Sequence, residues 1–231
     1  MFDLTPDELT AIHLSLRIAL VATAAALPFG IAVAWLLARK RFVGKALLDG
    51  LVHLPLVLPP VVTGYLLLIT FGRRAPVGSF LYETMGIVLS FRWTGAALAC
   101  GVMGFPLLVR AIRLSIEAID RRLEQAAATL GASRLWVFLT VTLPLALPGL
   151  IAGTVLCFAR ALGEFGATIT FAGAIPGETQ TLATALGTLV QGTGLDVAAL
   201  RLIAAAILVS LAALVVSDWL ARRAAMRLHG G

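Results

Sequence analysis

Charge is what this chain lacks most: Asp, Glu, Lys and Arg make up 13% of its 231 residues, while 60% are hydrophobic. A soluble domain of this length has too little interior to hide that apolar fraction, so an integral membrane protein is indicated. Cysteine is nearly absent. Cys100 and Cys157 both fall within apolar runs, where a thiol behaves as a small apolar residue, so neither a disulfide nor a metal site is expected. His13, His53 and His229 are scattered and no serine sits in a G-x-S-x-G context, which leaves no intramembrane catalytic centre to argue for. A G-x-x-x-x-G-K-[ST] phosphate loop is missing; the nearest fragment, Gly44-Lys45-Ala46, lacks the upstream glycine and the hydroxyl. Any nucleotide must be bound by another chain. Positive charge is missing before Arg17, and Asp3, Asp7 and Glu8 occupy the start. A secretory signal peptide is therefore not expected, and Met1 is expected to begin the mature protein.

What is present is a set of long apolar runs. Crossing about 30 Å of hydrocarbon at about 1.5 Å per residue takes about 20 residues, and runs near residues 14–37, 50–71, 87–109, 139–162 and 199–220 meet that length. The net charge of +6 is unevenly placed: Arg39, Lys40, Arg41 and Lys45 follow the first run, Arg110, Arg113, Arg121, Arg122 and Arg134 the third, and Arg222, Arg223 and Arg227 the fifth. The loop after the second run has only Arg73 and Arg74, and the loop after the fourth has none until Arg201. By the positive-inside rule the N-terminus lies outside and the C-terminus inside, and the basic charge reports orientation rather than nucleic-acid binding. The expected fold is an all-α integral membrane protein of about five transmembrane helices, residues 1–231 forming one domain, with 178–192 left open as a short sixth helix.

Small residues in the first run favour close helix contact. In the second, Pro55, Pro59 and Pro60 each remove a backbone donor, which suits a bent pore-lining helix and a structural kink equally. The loop after it carries Pro76 and Gly78, with a helical turn expected around Phe80 to Tyr82. Gly101, Gly104 and Pro106 make the third run flexible or closely packed. No internal repeat or separable soluble domain is visible.

A polar island from Glu117 to Pro144 interrupts the apolar sequence on its basic side. Ile116, Ile119, Leu123, Ala126 or Ala127, and Leu130 recur at helical spacing, with Glu117, Asp120, Arg121 and Glu124 on the other face, so a surface helix is expected. Gly131 fits the left-handed position beyond its end, and Ser133 suits the cap of a second helix. An amphipathic helix resting on lipid headgroups is the plain alternative, but this stretch is nearly neutral and its centre is alanine, small enough to enter another protein's groove. The stretch EQAAATLGASRLWVFLTVTLPLALPG resembles the conserved cytoplasmic loop of bacterial ABC importer permeases, a Glu-Ala-Ala triplet, three residues, Gly and a later Leu-Pro. Gln125, Ala126 and Ala127 match the triplet, Gly131 the glycine, and Leu143 and Pro144 the Leu-Pro. Gln125 departs from the usual glutamate, with Glu124 one position earlier. The resemblance implies a type I importer bundle whose coupling loop, 117–143, sits in a cleft of a cytoplasmic ATPase. Glu124, Gln125, Ala126, Ala127, Gly131, Ala132 and Arg134 are its candidate coupling residues.

A second segment, FARALGEFGATITFAGAIPGETQTL at 158–182, is similar to molybdate and tungstate permeases in its Leu-Gly-Glu-Phe-Gly-Ala-Thr and Ile-Pro-Gly-Glu-Thr runs, as is Leu54 to Val62. Sulfate permeases share the layout but match these words less closely. Glycines at 163, 166, 173 and 177 allow close backbone approach, and backbone N–H groups with Thr168, Thr170, Thr179 and Thr181 could pass an oxyanion without holding it. Glu164 would repel an anion unless paired, and Arg160 lies four residues earlier on the same helical face. The threonines serve equally as helix–helix hydrogen-bonders. Pro59, Thr63, Gly64, Gly163, Glu164, Gly166, Thr168 and Thr170 are the candidate path or gate residues.

The resemblance implies a transport subunit of the bacterial cytoplasmic membrane, not an enzyme, that imports molybdate or tungstate. Its implied partners are a second copy of itself, two ATPase subunits carrying ATP and magnesium, an extracytoplasmic oxyanion-binding protein and membrane lipid; no cofactor is expected on this chain. A sulfate or thiosulfate permease is the alternative substrate reading. A secondary anion transporter is disfavoured by the lack of an inverted repeat and of membrane carboxylates to carry protons.

Overall fold

A computed structural model of the chain describes residues 5–192 and 197–229. Asp3 of the acidic start and the side chains of Arg222, Arg223 and Arg227 lie outside the described residues. Regular structure among the described residues is helical throughout.

Helix α1 (Pro6–Arg39) begins on a capping box, in which the Thr5 hydroxyl accepts from the Glu8 N–H and Glu8 accepts from the Thr5 N–H. This satisfies donors that a helix start otherwise leaves open. At 34 residues it is about 50 Å long, more than the hydrocarbon requires. Helix α5 (Trp93–Glu117) packs along it through Ala19, Ala22, Ala26, Ala34, Ala96 and Ala97, all buried. Side chains this small let two backbones approach where lipid gives no hydrophobic drive to pair. Helix α9 (Leu147–Leu162) completes a three-helix centre, bringing Cys157 and Ala161 against α5.

The second apolar run is not one helix. Helix α2 (Lys45–Val57) and helix α3 (Pro60–Phe71) meet at a 117° bend. The break falls at Leu58-Pro59-Pro60: Leu58 is extended (ψ 143°), as a residue before proline prefers, and Pro60 starts α3 where its missing N–H costs no bond. Pro55, by contrast, sits inside α2 without ending it. Helix α4 (Pro76–Met85) replaces the single turn expected near Phe80. The third run begins late, because Gly86 and Phe91 both have positive φ (67° and 57°) and α5 starts only at Trp93.

Beyond α5 come α6 (Arg121–Thr129), α7 (Arg134–Val137), a π-helical turn (Phe138–Thr142) and α8 (Leu143–Leu145), which joins α9 at a 69° bend. Helix α10 (Gly166–Phe171) continues past α9, and α11 (Leu182–Gly192) packs beside α12 (Val197–His229). The Ser15 hydroxyl accepts from the Leu182 N–H at the head of α11. With 11 residues, α11 is about 16 Å long and too short to cross alone.

Helices α1 and α5 are each long and apolar enough to cross a membrane, and counting each bent pair as one crossing raises the number to four among the described residues. The fifth expected run lies in α12, whose described apolar part, Leu200–Val216, is shorter than a full crossing.

Candidate functional site

The polar island folds as two short helices around a sharp turn. The expected single surface helix from Ile116 is divided, because α5 runs on to Glu117 and α6 starts afresh at Arg121. Asp120 explains the division: its carboxylate accepts from the Arg122 N–H, a local bond that competes with continued helix. Ile116 and Ile119 are consequently buried in the core with α1 and α2, whereas Leu123 and Leu130 are exposed, Leu130 at 89%. Helix α6 ends in a Schellman turn, in which Gly131 N–H donates to Ala128 O and Ala132 N–H to Ala127 O. Gly131 has φ 86° there, the left-handed conformation its sequence position suggested. The Ser133 hydroxyl accepts from the Trp136 N–H and caps α7.

Around this turn Gln125, Ala126, Gly131 and Arg134 are exposed, and Ala127 and Ala132 are half-buried. Glu124 points the other way. Its Oε1 accepts from Arg39 at the end of α1 (3.1 Å) and from the Thr142 hydroxyl in the π-helical turn (2.7 Å). Arg39 and Thr142 were not singled out in the sequence. In the sequence Arg39 reads only as orientation charge, and at 85 positions from Glu124 no periodicity joins the two. Nearby, Arg113 bridges α5 to α2 through Asp49 (3.0 Å) while also pairing with Glu117 (2.8 Å).

The second group of candidate residues gathers where α3 crosses α10. A Cβ on Gly64 would lie 2.7 Å from Ala167 O and 2.8 Å from Thr170 Cβ, and one on Gly166 would lie 2.7 Å from Pro60 Cβ. Both contacts are too close for any larger residue, so glycine is what lets these short helices touch. Glu164 is fully buried; it pairs with Arg160 and also accepts from the Ala167 N–H at 2.8 Å, capping α10. The carboxylate that would have repelled an anion is thus paired within its own segment. Thr168 is buried beside the Cys100 thiol, Thr170 donates to Gly166 O, and Thr179 accepts from the Ile175 N–H. The Thr63 hydroxyl, on α3, is buried with no hydrogen-bond partner. Pro59 and Gly163 are exposed and flank this crossing in sequence.

On α4, Tyr82 lies beneath the Arg73 guanidinium, which also donates to its hydroxyl at 3.0 Å. Arg17 lies over the Trp93 ring, 4.0 Å from its centroid, so both arginines have aromatic partners that suit a membrane interface.

Two molybdenum transport system permease proteins, both named ModB, are similar over nearly their whole length. The one from Escherichia coli (strain K12) is 58% identical over 95% of this chain and 96% of its own. The one from Haemophilus influenzae is 54% identical over 97% and 98%. Among solved structures, a bacterial ABC transporter involved in the import of the acidic polysaccharide alginate superposes with TM-score 0.74 at 18% identity, covering 95% of this chain and 80% of that one. At that identity the superposition speaks for the shared helical fold alone. Residues 26–229 match the family described as binding-protein-dependent transport system inner membrane component, and they include both the turn at Gly131 and the crossing at Gly64. With its capped double helix on one side and its paired carboxylate within the helical bundle, the chain belongs to that family of inner membrane transport components.

Proposed function

We propose that this chain is the membrane-spanning subunit of an ATP-driven importer that carries molybdate, or tungstate, into the bacterial cytoplasm. The observation that carries the reading is the 58% identity to a molybdenum permease across nearly the full length of both chains. In this reading residues 1–231 form one permease domain of five crossings, N-terminus outside and C-terminus inside. It works as a homodimer with two ATPase subunits, which hold ATP and magnesium, and an extracytoplasmic oxyanion-binding protein. Gln125, Ala126, Ala127, Gly131, Ala132 and Arg134 face the ATPase, in keeping with the exposure of Gln125, Ala126, Gly131 and Arg134 around the turn. The bent α2–α3 pair and the segment from Gly163 to Thr170 together border the path, with Pro59, Thr63 and Gly64 packed on the side of Glu164, Gly166 and Thr168. Pairing of Glu164 with Arg160 keeps net negative charge off the route of an anion.

ATP binding closes the ATPase pair, draws the coupling helices together and opens the cavity outward; hydrolysis resets it. The test is labelled molybdate uptake into vesicles holding this chain, its ATPase and its binding protein, with and without ATP. ATP-dependent uptake blocked by tungstate and not by sulfate is expected. Blocking by sulfate alone overturns the substrate, and ATP-independent flux overturns the transporter class.

A further inference from the structure

We propose that Arg39, Glu124 and Thr142 form an internal latch that makes the coupling helix α6 move as one body with the inner end of α1 and the start of the α9 limb. The proposal rests on the importer reading and names positioning residues for it. Helix α6 has nine residues and none is buried, so it has little apolar packing through which to push its neighbours. Among the described residues, Glu124 is the α6 side chain that hydrogen-bonds or ion-pairs beyond α6 and its cap. Its Oε1 takes bonds from two other elements. Arg39 approaches with Nε at 3.1 Å and Nη2 at 3.1 Å, and Thr142 Oγ1 approaches at 2.7 Å.

Arg39 does a second thing. Its Nη2 also donates to Ile119 O at 3.3 Å, a carbonyl in the 118–120 link between α5 and α6. One guanidinium fork therefore fixes both the link and the helix it leads to, a geometry that lysine cannot reproduce. The pair is also screened from water, with side-chain exposures of 9% for Arg39 and 19% for Glu124. Charge-assisted bonds in such surroundings are stronger than their surface counterparts.

Thr142 differs from several other helical threonines. Thr10, Thr140, Thr154 and Thr170 all turn their hydroxyls back to the carbonyl four residues earlier. Thr142 reaches across to Glu124 and is 1% exposed. It closes the π-helical turn, just ahead of Pro144 and the 69° bend into α9. π-helical turns recur at functional sites, and this one places a hydroxyl where the moving helix presents a carboxylate. A push on α6 is thus delivered through a single oxygen to α1 and, through the bend, to α9.

The experiment compares unmodified chain with Thr142→Val, Thr142→Ser, Arg39→Gln and the exchange Arg39→Glu with Glu124→Arg, each reconstituted with ATPase and binding protein. The readout is molybdate imported per ATP hydrolysed, with the amount of assembled complex measured alongside. Thr142→Val and Arg39→Gln are expected to lower that ratio about tenfold, the scale set by losing a hydrogen bond to a charged group. Thr142→Ser, which keeps the hydroxyl, is expected to retain the ratio, and the exchange to recover part of it. Unchanged ratios in Thr142→Val and Arg39→Gln overturn the latch while leaving the importer standing. Loss of assembled complex in step with loss of uptake assigns these residues to folding only and also overturns it. Absence of ATP-dependent uptake by the unmodified chain sinks the importer reading and the latch with it.

Discussion

At the scale of single residues, two positions carry most of the physical argument. Gly131 sits at φ 86° with nothing within 4 Å of where a Cβ would stand, so substitution there meets backbone strain and no neighbour. An L-residue in that conformation costs about 1–2 kcal/mol, with asparagine the most tolerant. Gly131→Asn is expected to keep more ATP-coupled uptake than Gly131→Ala, and Gly131→Val to keep least, all three inserting normally. Equal uptake from the three, normalised to membrane content, would remove strain as the cause. Glu164 has two duties, pairing with Arg160 and capping α10 at Ala167. Glu164→Gln keeps an acceptor for the cap and is expected to change gating more than assembly. Glu164→Ala leaves the buried Ala167 N–H without a partner and is expected to melt at a lower temperature than Glu164→Gln in detergent; the reverse order would separate the cap from stability. The Arg160–Glu164 pair was legible in the sequence from its four-residue spacing, although α9 stops at Leu162 and Glu164 reaches Arg160 from just beyond the helix end. The cap was not, because it depends on where α9 stops.

At the scale of elements, the decisive contact is α3 against α10. Gly64→Val pushes a side chain into Ala167 O and Thr170 Cβ, and overpacking of that kind costs about 1–3 kcal/mol. The variant is expected to lower both melting temperature and uptake, and unchanged melting would mean that the helices part without cost. Thr63, one position earlier, has a buried hydroxyl with no partner. Thr63→Val removes that burden and is expected to melt no lower than the unmodified chain, yet to import less if the hydroxyl meets the oxyanion; full uptake would take Thr63 out of the path. The prolines announced a disruption in the second run without locating it. Pro55 is absorbed within α2 and Pro59-Pro60 makes the break, since only the tandem pair combines an extended preceding residue with a proline at a new helix start. The island misled in a similar way. Its apolar spacing continues through Asp120, but that carboxylate caps a new helix and lets Ile116 and Ile119 turn into the core.

For the whole molecule, orientation is the property that charge predicts and that labelling measures. In the proposed orientation Val43 and Glu83 belong to opposite sides of the bilayer; Val43 is fully exposed between α1 and α2, and Glu83 is exposed on α4. The native thiols Cys100 and Cys157 are both buried and should give little background. A membrane-impermeant maleimide is expected to reach Glu83→Cys in intact cells and Val43→Cys only after permeabilisation; the opposite pattern would invert the topology. Membrane character, helical class and the turn at Gly131 were determined by the sequence alone, because hydropathy, periodicity and the left-handed preference of glycine act over a few neighbouring residues. Which carboxylate faces inward, where the second run bends back and which small residues meet were decided only by the tertiary structure. Arg39, Glu124 and Thr142 come from three separate elements, and a contact between distant segments has no local energy term by which the chain could announce it.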